Sequence, residues 1–210
     1  HQKDLITLKK YINDYQVDEI IVGMPKNMDG SLGKQAEKTK QYINFLRNNL
    51  DKLKIKNEDI DEIFISHNHW DHIGGLMAVF PETEAVTYIP ASARVPDVEL
   101  PQEYKEFDKL KRVKVIKEPQ QLHENIYSTG ELENMEQSLV VKTEKGLVVI
   151  VGCSHPGVGK ILDTASQFGE VYAIIGGFHG FNDLERLQDL SLICATHCTQ
   201  HQEEIRARYS

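Results

Sequence analysis

A run of imidazole and carboxylate side chains directly after a short apolar strand constrains this chain more than any other feature. The strand is predicted at residues 63–65, and the run reads His-Asn-His-Trp-Asp-His at residues 67–72. Three histidines and an aspartate within six residues have no obvious packing use, because protein cores are built from apolar groups. Imidazole and carboxylate are ligands of zinc, iron and manganese. The run therefore predicts a transition-metal site at the end of a strand.

Further histidines follow predicted strands later in the chain. His155 and His197 each follow an apolar strand, and we take both as candidate metal ligands. His179 ends the motif Gly-Gly-Phe-His, and we predict that it contacts either the metal or the substrate. A single histidine at a strand end is more often a surface residue or a hydrogen-bonding residue than a ligand. We interpret His123 and His201 in that way.

The three cysteines point to a reducing compartment. Cys153, Cys194 and Cys198 form an odd set that is too sparse for a disulfide framework. We expect Cys153 and Cys198 to be small buried residues, although metal binding is open to them because they stand beside predicted ligands. Cys194 lies within a predicted strand, so we expect it in the core.

Charge and hydropathy limit the class of partner. The sequence has 24 basic and 32 acidic residues and a net charge of -8, which is the wrong sign for holding phosphate backbones. No apolar run approaches the roughly 20 residues of a membrane-spanning helix, and the first residues lack the pattern of a signal peptide. We expect a cytoplasmic protein that binds a small-molecule substrate and has neither a membrane nor a nucleic-acid partner.

Hydrophobic periodicity predicts an α/β protein, because strands alternate with helices. Helices are predicted near residues 5–15, 43–53, 158–168 and 184–190, and strands at 17–22, 63–65, 138–143, 147–151, 171–175 and 191–195. Residues 144–146, Glu-Lys-Gly, are typical of the turn of a hairpin. Five prolines interrupt residues 81–119, where we expect strands joined by a long excursion.

Residues 66–76, which read Ser-His-Asn-His-Trp-Asp-His-Ile-Gly-Gly-Leu, resemble the signature loop of metallo-β-lactamase-fold hydrolases. Three later segments resemble a dihydropterin-ribofuranosylaminobenzene phosphate synthase-like subgroup of that fold. They are Gly-Cys-Ser-His-Pro-Gly at 152–157, Gly-Gly-Phe-His at 176–179 and Thr-His-Cys-Thr at 196–199. The resemblance covers about residues 48–209.

This resemblance implies a ligand set and a reaction. His67, His69 and His155 would hold one metal, and Asp71, His72 and His197 would hold a second, with Asp71 also the candidate catalytic carboxylate. We expect the strands that lead to His67, His69 and His155 to be neighbours in one sheet. The bridging aspartate that is usual in the superfamily is replaced here by His179. The implied cofactor is zinc at two possible positions, with iron or manganese left open. The implied activity is attack by a metal-bound hydroxide on a small molecule, phosphorylated or not.

The N-terminal part resembles a different family. Residues 17–31, which read Val-Asp-Glu-Ile-Ile-Val-Gly-Met-Pro-Lys-Asn-Met-Asp-Gly-Ser, resemble the Holliday-junction-resolvase-like family of ribonuclease H fold. That family is also linked to pre-16S rRNA processing, and the resemblance covers about residues 2–46. Because the catalytic carboxylates of that family have no counterpart here, we do not expect nuclease activity.

We interpret the chain as a chimera with two domains that pack as one unit. Residues 1–46 are a resolvase-like α-β-α segment, and residues 47–210 are a truncated metallo-β-lactamase-like domain. The predicted fold is thus α/β, with incomplete αββα layers in which the resolvase-like helix-strand-helix segment replaces the N-terminal strands. Natural recombination and laboratory engineering are both open as origins.

This interpretation leaves three functions to separate. The first is a metal-dependent hydrolase or a remnant of one, the second is a metal-binding scaffold without turnover, and the third is a nucleic-acid-processing protein. An incomplete sheet exposes an edge and an apolar face, so we also expect a homodimer or a strand-exchanged assembly.

Overall fold

A computed structural model describes residues 59–93 and 110–209. Within these ranges the chain forms two compact units, one of residues 59–63 and 69–87, the other of residues 64–68, 88–93 and 110–209. The elements predicted before residue 59, and the predicted domain boundary between residues 46 and 47, lie outside the described residues and stay predictions. Across the two described ranges, no helix is long and apolar enough to cross a membrane.

The first unit contains the helical part of the histidine run. Helix α1 is Trp70–Ile73, helix α2 is Leu76–Val79, and a 3-10 turn at Phe80–Glu82 follows. The first turn of α1 closes on His69, whose carbonyl oxygen accepts hydrogen bonds from the backbone N–H groups of His72 (2.9 Å) and Ile73 (3.0 Å). Ile73, Leu76 and Phe80 are buried, as their helical spacing requires.

A three-stranded sheet has the order β1-β2-β3, with β1 at Glu62–Phe64, β2 at Val86–Pro90 and β3 at Val113–Ile116. The strand predicted before the histidine run is therefore confirmed. The backbone N–H of Ile65 donates to the carbonyl of Tyr88 at 2.9 Å, so the chain stays extended up to the first histidine.

The second unit contains a six-stranded mixed sheet in the order β4-β5-β6-β7-β8-β9. Its strands are β4 Gln120–His123, β5 Ile126–Ser128, β6 Leu139–Thr143, β7 Gly146–Val151, β8 Val171–Gly177 and β9 Leu192–Thr196. Pairing is antiparallel from β4 to β7 and parallel from β7 to β9. The predicted hairpin is β6–β7. Because β7, β8 and β9 are parallel, their carboxyl ends meet at one edge of the sheet.

Two α-helices and two 3-10 turns complete the second unit. They are α3 at Val158–Ala165, turns at Ser166–Phe168 and Leu184–Leu187, and α4 at Gln202–Tyr209. The apolar residues of α3 recur at helical spacing and share one buried cluster with β6, β7 and β8. Val149, Val158, Ile161 and Ile174 are fully buried in it. This core fixes the ends of β7 and β8.

Several predictions fail in the second unit. Cys194, expected in the core, is exposed, because β9 is the outermost strand and turns Ile193 and Ala195 toward the core instead. The hairpin β4–β5 was not predicted, since Gln120–His123 is mostly polar and exposed. Helix α4 was also not predicted, because it has a single buried residue, Ile205.

Candidate metal centre

The ends of the three parallel strands share an unusual backbone conformation. Ser154 after β7, His179 after β8 and His197 after β9 have positive φ angles of 59°, 46° and 52°. Residues other than glycine rarely adopt this left-handed conformation, which costs about 1–3 kcal/mol and tends to occur at functional sites. The sharp turns bring predicted site residues to the same edge of the sheet.

Three of the predicted histidines lie together at this edge. The ring centroids of His67 and His155 are 4.8 Å apart in an edge-on arrangement, and those of His155 and His179 are 5.1 Å apart. His67 is 2% exposed, His155 is half-buried and His179 is exposed. The second unit therefore holds a row of imidazoles that runs from the interior to the surface.

Glu136 lies beneath these histidines and is fully buried. Its Oε1 accepts hydrogen bonds from the backbone N–H groups of Gly152 (3.0 Å), Cys153 (2.8 Å) and Ser154 (3.0 Å). Its Oε2 accepts from the backbone N–H of His155 at 3.0 Å and lies 2.8 Å from His155 Nδ1. Since an ionised carboxylate only accepts, Nδ1 carries a proton, which leaves Nε2 as the ring nitrogen available to a metal. Glu136 thus presents His155 in the form that binds a metal.

The pKa of Glu136 is consistent with an ionised carboxylate. Burial alone raises this pKa, but the charge of His67 and the hydrogen bonds from His155 and Ser154 outweigh burial and leave it below its usual value. His67 Nδ1 lies 3.9 Å from the carboxylate, and the backbones of His67 and Glu136 form an isolated bridge. Sequence reasoning missed Glu136, because its partners are 16 to 19 residues away and meet it only in the folded chain.

The neighbouring Gln137 holds the segment that leads to His67. Gln137 is fully buried, and its Nε2 donates to the carbonyl oxygen of Ile65 at 2.9 Å. Its backbone N–H donates to the carbonyl oxygen of Ser66 at 2.9 Å, and its Oε1 accepts from Ser128 Oγ at 2.8 Å. Adjacent residues of one loop therefore position His155, through Glu136, and His67, through Gln137.

A second group of possible metal ligands contains both thiols of the strand ends. Cys153, His197 and Cys198 each offer a ligand atom, and the three atoms lie within 4.8 Å of one another. A hydrogen bond from the Cys153 thiol lowers the pKa of Cys198 to about 5, against burial, with further contributions from His179 and His197. Cys153 is buried as expected, whereas Cys198 is only half-buried.

The remaining predicted ligands His69, Asp71 and His72 belong to the first unit. His69 is exposed, and Asp71 and His72 are half-buried with Oδ2 and Nε2 3.6 Å apart. Their assignment to a metal stays a prediction. His123 is exposed and His201 lies 3.4 Å from Glu204, in agreement with their interpretation as residues outside the site.

One structural expectation is wrong. We expected His67 and His155 to follow strands that are neighbours in one sheet. Instead β1 belongs to the three-stranded sheet and β7 to the six-stranded sheet. The two histidines meet because Glu136 and Gln137 bind both strand ends, a contact that strand order alone does not predict.

Comparison with known proteins finds two separate similarities. The family model described as RuvX, Holliday junction resolvase, matches residues 1–70. A candidate pre-16S rRNA nuclease of Halothermothrix orenii is 60% identical over 50 residues, which are 24% of this chain and 36% of that protein. These matches confirm the resemblance of the N-terminal segment, and the chain spans little more than a third of the nuclease's length.

The other similarity covers most of the chain. The 7,8-dihydropterin-6-methyl-4-(beta-D-ribofuranosyl)-aminobenzene-5'-phosphate synthase of Methanocaldococcus jannaschii is 28% identical over 221 residues, 79% of this chain and 75% of that protein. A solved metal-dependent hydrolase of the beta-lactamase superfamily superimposes with a TM-score of 0.58 at 24% identity, over 77% of each chain. The chain thus has a mixed α/β fold of the metallo-β-lactamase type, and its N-terminal segment is similar to the RuvX family.

Proposed function

We propose that this chain is a metal-dependent hydrolase of small molecules. The observation that carries the proposal is the buried Glu136 carboxylate, which fixes the tautomer of His155 next to His67. Metal-binding histidines commonly donate their second ring N–H to a carboxylate, which orients the ring and makes it a better ligand. The ligand atoms of His67 and His155 lie within 4.8 Å of each other, as two ligands of one ion require.

The proposed ligand set extends this pair with residues of the sequence motif. His67, His155 and His69 would hold one metal, and Asp71, His72 and His197 a second. The contribution of His69, Asp71 and His72 rests on the motif alone. Imidazole and carboxylate ligands suit zinc, and iron and manganese bind the same ligand types.

The residues of the second unit would orient the metal ligands rather than stabilise negative charge that develops on the substrate. Because Glu136 accepts the N–H groups of residues 152–155, this loop has none of those donors left to stabilise a developing oxyanion. A divalent metal would supply the missing positive charge and a nucleophile from water at neutral pH. Asp71 is the proposed carboxylate for proton transfer. The synthase name of the Methanocaldococcus jannaschii relative favours a phosphorylated substrate.

The test combines metal analysis with an activity screen. Protein purified without chelator is expected to contain at least one equivalent of metal, and to hydrolyse one class among phosphodiesters, lactones and thioesters in a chelator-sensitive way. His155→Ala should lose both metal and activity, whereas the matched control His123→Ala, at an exposed histidine of β4, should keep both. Metal-free protein, or equal behaviour of the two variants, would overturn the proposal.

The same experiment distinguishes the hydrolase from the second candidate function, a metal-binding scaffold without turnover. The specific observation that favours it is His179, which stands after β8 where the superfamily usually has a bridging aspartate. A neutral imidazole there gives a dinuclear centre less negative charge than a carboxylate does. Stoichiometric metal together with no turnover on any substrate class would therefore favour the scaffold over the hydrolase.

A further inference from the structure

We propose that Cys153, His197 and Cys198 form a thiolate-containing metal site, distinct in chemistry from the His67–His155 pair. The two Sγ atoms and one imidazole nitrogen lie within 4.8 Å of one another. Cys198 Sγ also lies 3.8 Å from the carbonyl oxygen of Cys153, 45 residues earlier in the chain. The two cysteine segments are therefore in direct contact in the fold, and the grouping does not follow from sequence proximity.

The backbone around these residues holds the three side chains in place. The N–H of Cys153 donates to Glu136 Oε1 at 2.8 Å, which fixes the end of β7. At the end of β9, His197 is left-handed and Thr199 closes the turn, with its N–H 3.1 Å and its Oγ1 2.7 Å from the carbonyl oxygen of Thr196. Both cysteine segments are thus anchored by hydrogen bonds rather than by contact between the thiols alone.

Gly177 at the end of β8 leaves the space that the side chains of Cys198 and His197 occupy. A Cβ atom at this position would lie 2.7 Å from Cys198 Sγ and 3.3 Å from His197 Cδ2. Both distances are shorter than ordinary van der Waals contact, so any larger residue would displace these two side chains. Gly177, on the middle one of the three parallel strands, is therefore a second, independent feature of the same site.

The donor set indicates the class of ion. Two thiolates and one imidazole favour thiophilic ions such as Zn²⁺, Cd²⁺ and Cu⁺ over Mg²⁺ or Ca²⁺, which prefer oxygen ligands. With Zn–S near 2.3 Å and Zn–N near 2.0 Å, tetrahedral ligand atoms stand about 3.5 Å apart, so small side-chain rotations close the site. Binding releases the thiol protons to solvent. Cys153 is 4% exposed while Cys198 and His197 are accessible, so the ion enters from their side.

The thiolate site does not require the proposed hydrolase, because its three donors include neither His67 nor His155, although Cys153 Sγ lies within 4.8 Å of a ring nitrogen of His67. The two proposals meet at His197, which the sequence motif assigns to the second hydrolytic position. A thiophilic ion bound by Cys153 and Cys198 takes this imidazole away from that position. We therefore expect such ions to inhibit any activity that depends on a second metal, at concentrations that fill the thiolate site.

The experiment is a Cd²⁺ titration of metal-free, fully reduced protein, followed by thiolate-to-metal charge-transfer absorbance and by bound-metal analysis. The wild-type protein is expected to show the band. Cys198→Ser and Cys153→Ser should lose it or bind at least ~10-fold more weakly, since each removes a direct ligand. Cys194→Ser is the matched control, because Cys194 is an exposed thiol on β9, and this variant should titrate like wild type.

Two further measurements separate the loss of a thiolate ligand from misfolding and from loss of the proposed hydrolytic metal. Circular dichroism identifies misfolding in Cys153→Ser, whose thiol is buried, and Cys198→Ser at the accessible position carries the test if that variant fails to fold. His67→Ala should lose the proposed hydrolytic metal but keep the charge-transfer band, so the two proposals fail separately. A reduced wild-type protein without the band, or a band unchanged in Cys198→Ser, would overturn the thiolate site.

Discussion

Glu136→Gln is the substitution that most directly tests how this site is organised. The amide oxygen of glutamine can replace Oε1 and still accept the N–H groups of residues 152–154. The amide NH₂ would then replace Oε2 and face two donors, the backbone N–H and the Nδ1–H of His155. His155 can avoid one of these clashes only by moving its proton to Nε2, and a protonated Nε2 cannot bind a metal.

The expected magnitude follows from these contacts. An unsatisfied buried N–H at His155 costs about 1–3 kcal/mol, and hydrogen bonds to a neutral acceptor are weaker than those to a carboxylate. The neutral amide also avoids the desolvation cost of the buried carboxylate, which offsets part of this loss. We therefore expect the free energy of unfolding to fall by about 2–4 kcal/mol. Metal affinity should fall roughly 10–100-fold, because the substitution acts on the orientation and tautomer of a ligand.

The assay measures both quantities and the tautomer itself. Urea unfolding gives the stability, competition with a chelator gives Zn²⁺ affinity, and ¹⁵N chemical shifts of the imidazole show which ring nitrogen of His155 carries the proton. Glu133→Gln is the matched control. Glu133 is an exposed carboxylate paired with Lys160, and its loss should cost less than about 1 kcal/mol. A Glu136→Gln variant that keeps the Nδ1–H tautomer and wild-type affinity would refute the reasoning.

Three other outcomes are expected. Gly177→Ala should lower the free energy of unfolding by about 1–3 kcal/mol, because its Cβ would lie 2.6 Å from the Gly152 carbonyl oxygen. In the same urea unfolding assay the control Gly75→Ala should be near neutral, because its Cβ would have no non-neighbouring atom within 4 Å. Asp71→Ala should weaken the second metal position more than the first in a metal titration, and equal loss of both would contradict our assignment. Sedimentation at micromolar concentration should show a homodimer or a strand-exchanged assembly, and a monomer would mean that no sheet edge is left to pair.

The ends of the strands can be predicted from the sequence, but the buried residues that contact those ends cannot. Strands β7, β8 and β9 were predictable because each is a short apolar run that is followed by a histidine within four residues. Their parallel pairing then brings His155, His179 and His197 to one edge. The orientation of the side chains on an edge strand is not encoded in composition, which is why Cys194 was wrongly expected in the core.

The carboxylate that organises the site could not be found in the same way. Glu136 stands before an ordinary apolar strand, and nothing around it in sequence distinguishes it from the half-buried Glu131 or the exposed Glu133. Its importance comes from contacts with residues 152–155, which exist only after β6 and β7 have paired. Local patterns identify candidate ligands that share a motif, whereas residues that orient those candidates depend on tertiary contacts.

The hydrogen bonds that Glu136 accepts also explain how the proposed metal site can be held in place without a bound metal. A buried carboxylate without partners would be strongly destabilising, yet here four backbone N–H groups and one imidazole stabilise its charge. The negative charge is therefore held in place by the fold itself, 2.8 Å from the Nδ1 of one proposed ligand and 3.9 Å from that of another. A divalent ion bound by His67 and His155 would meet a compensating charge that needs no rearrangement. The hydrogen bonds that position His155 thus also prepare the electrostatics of the site.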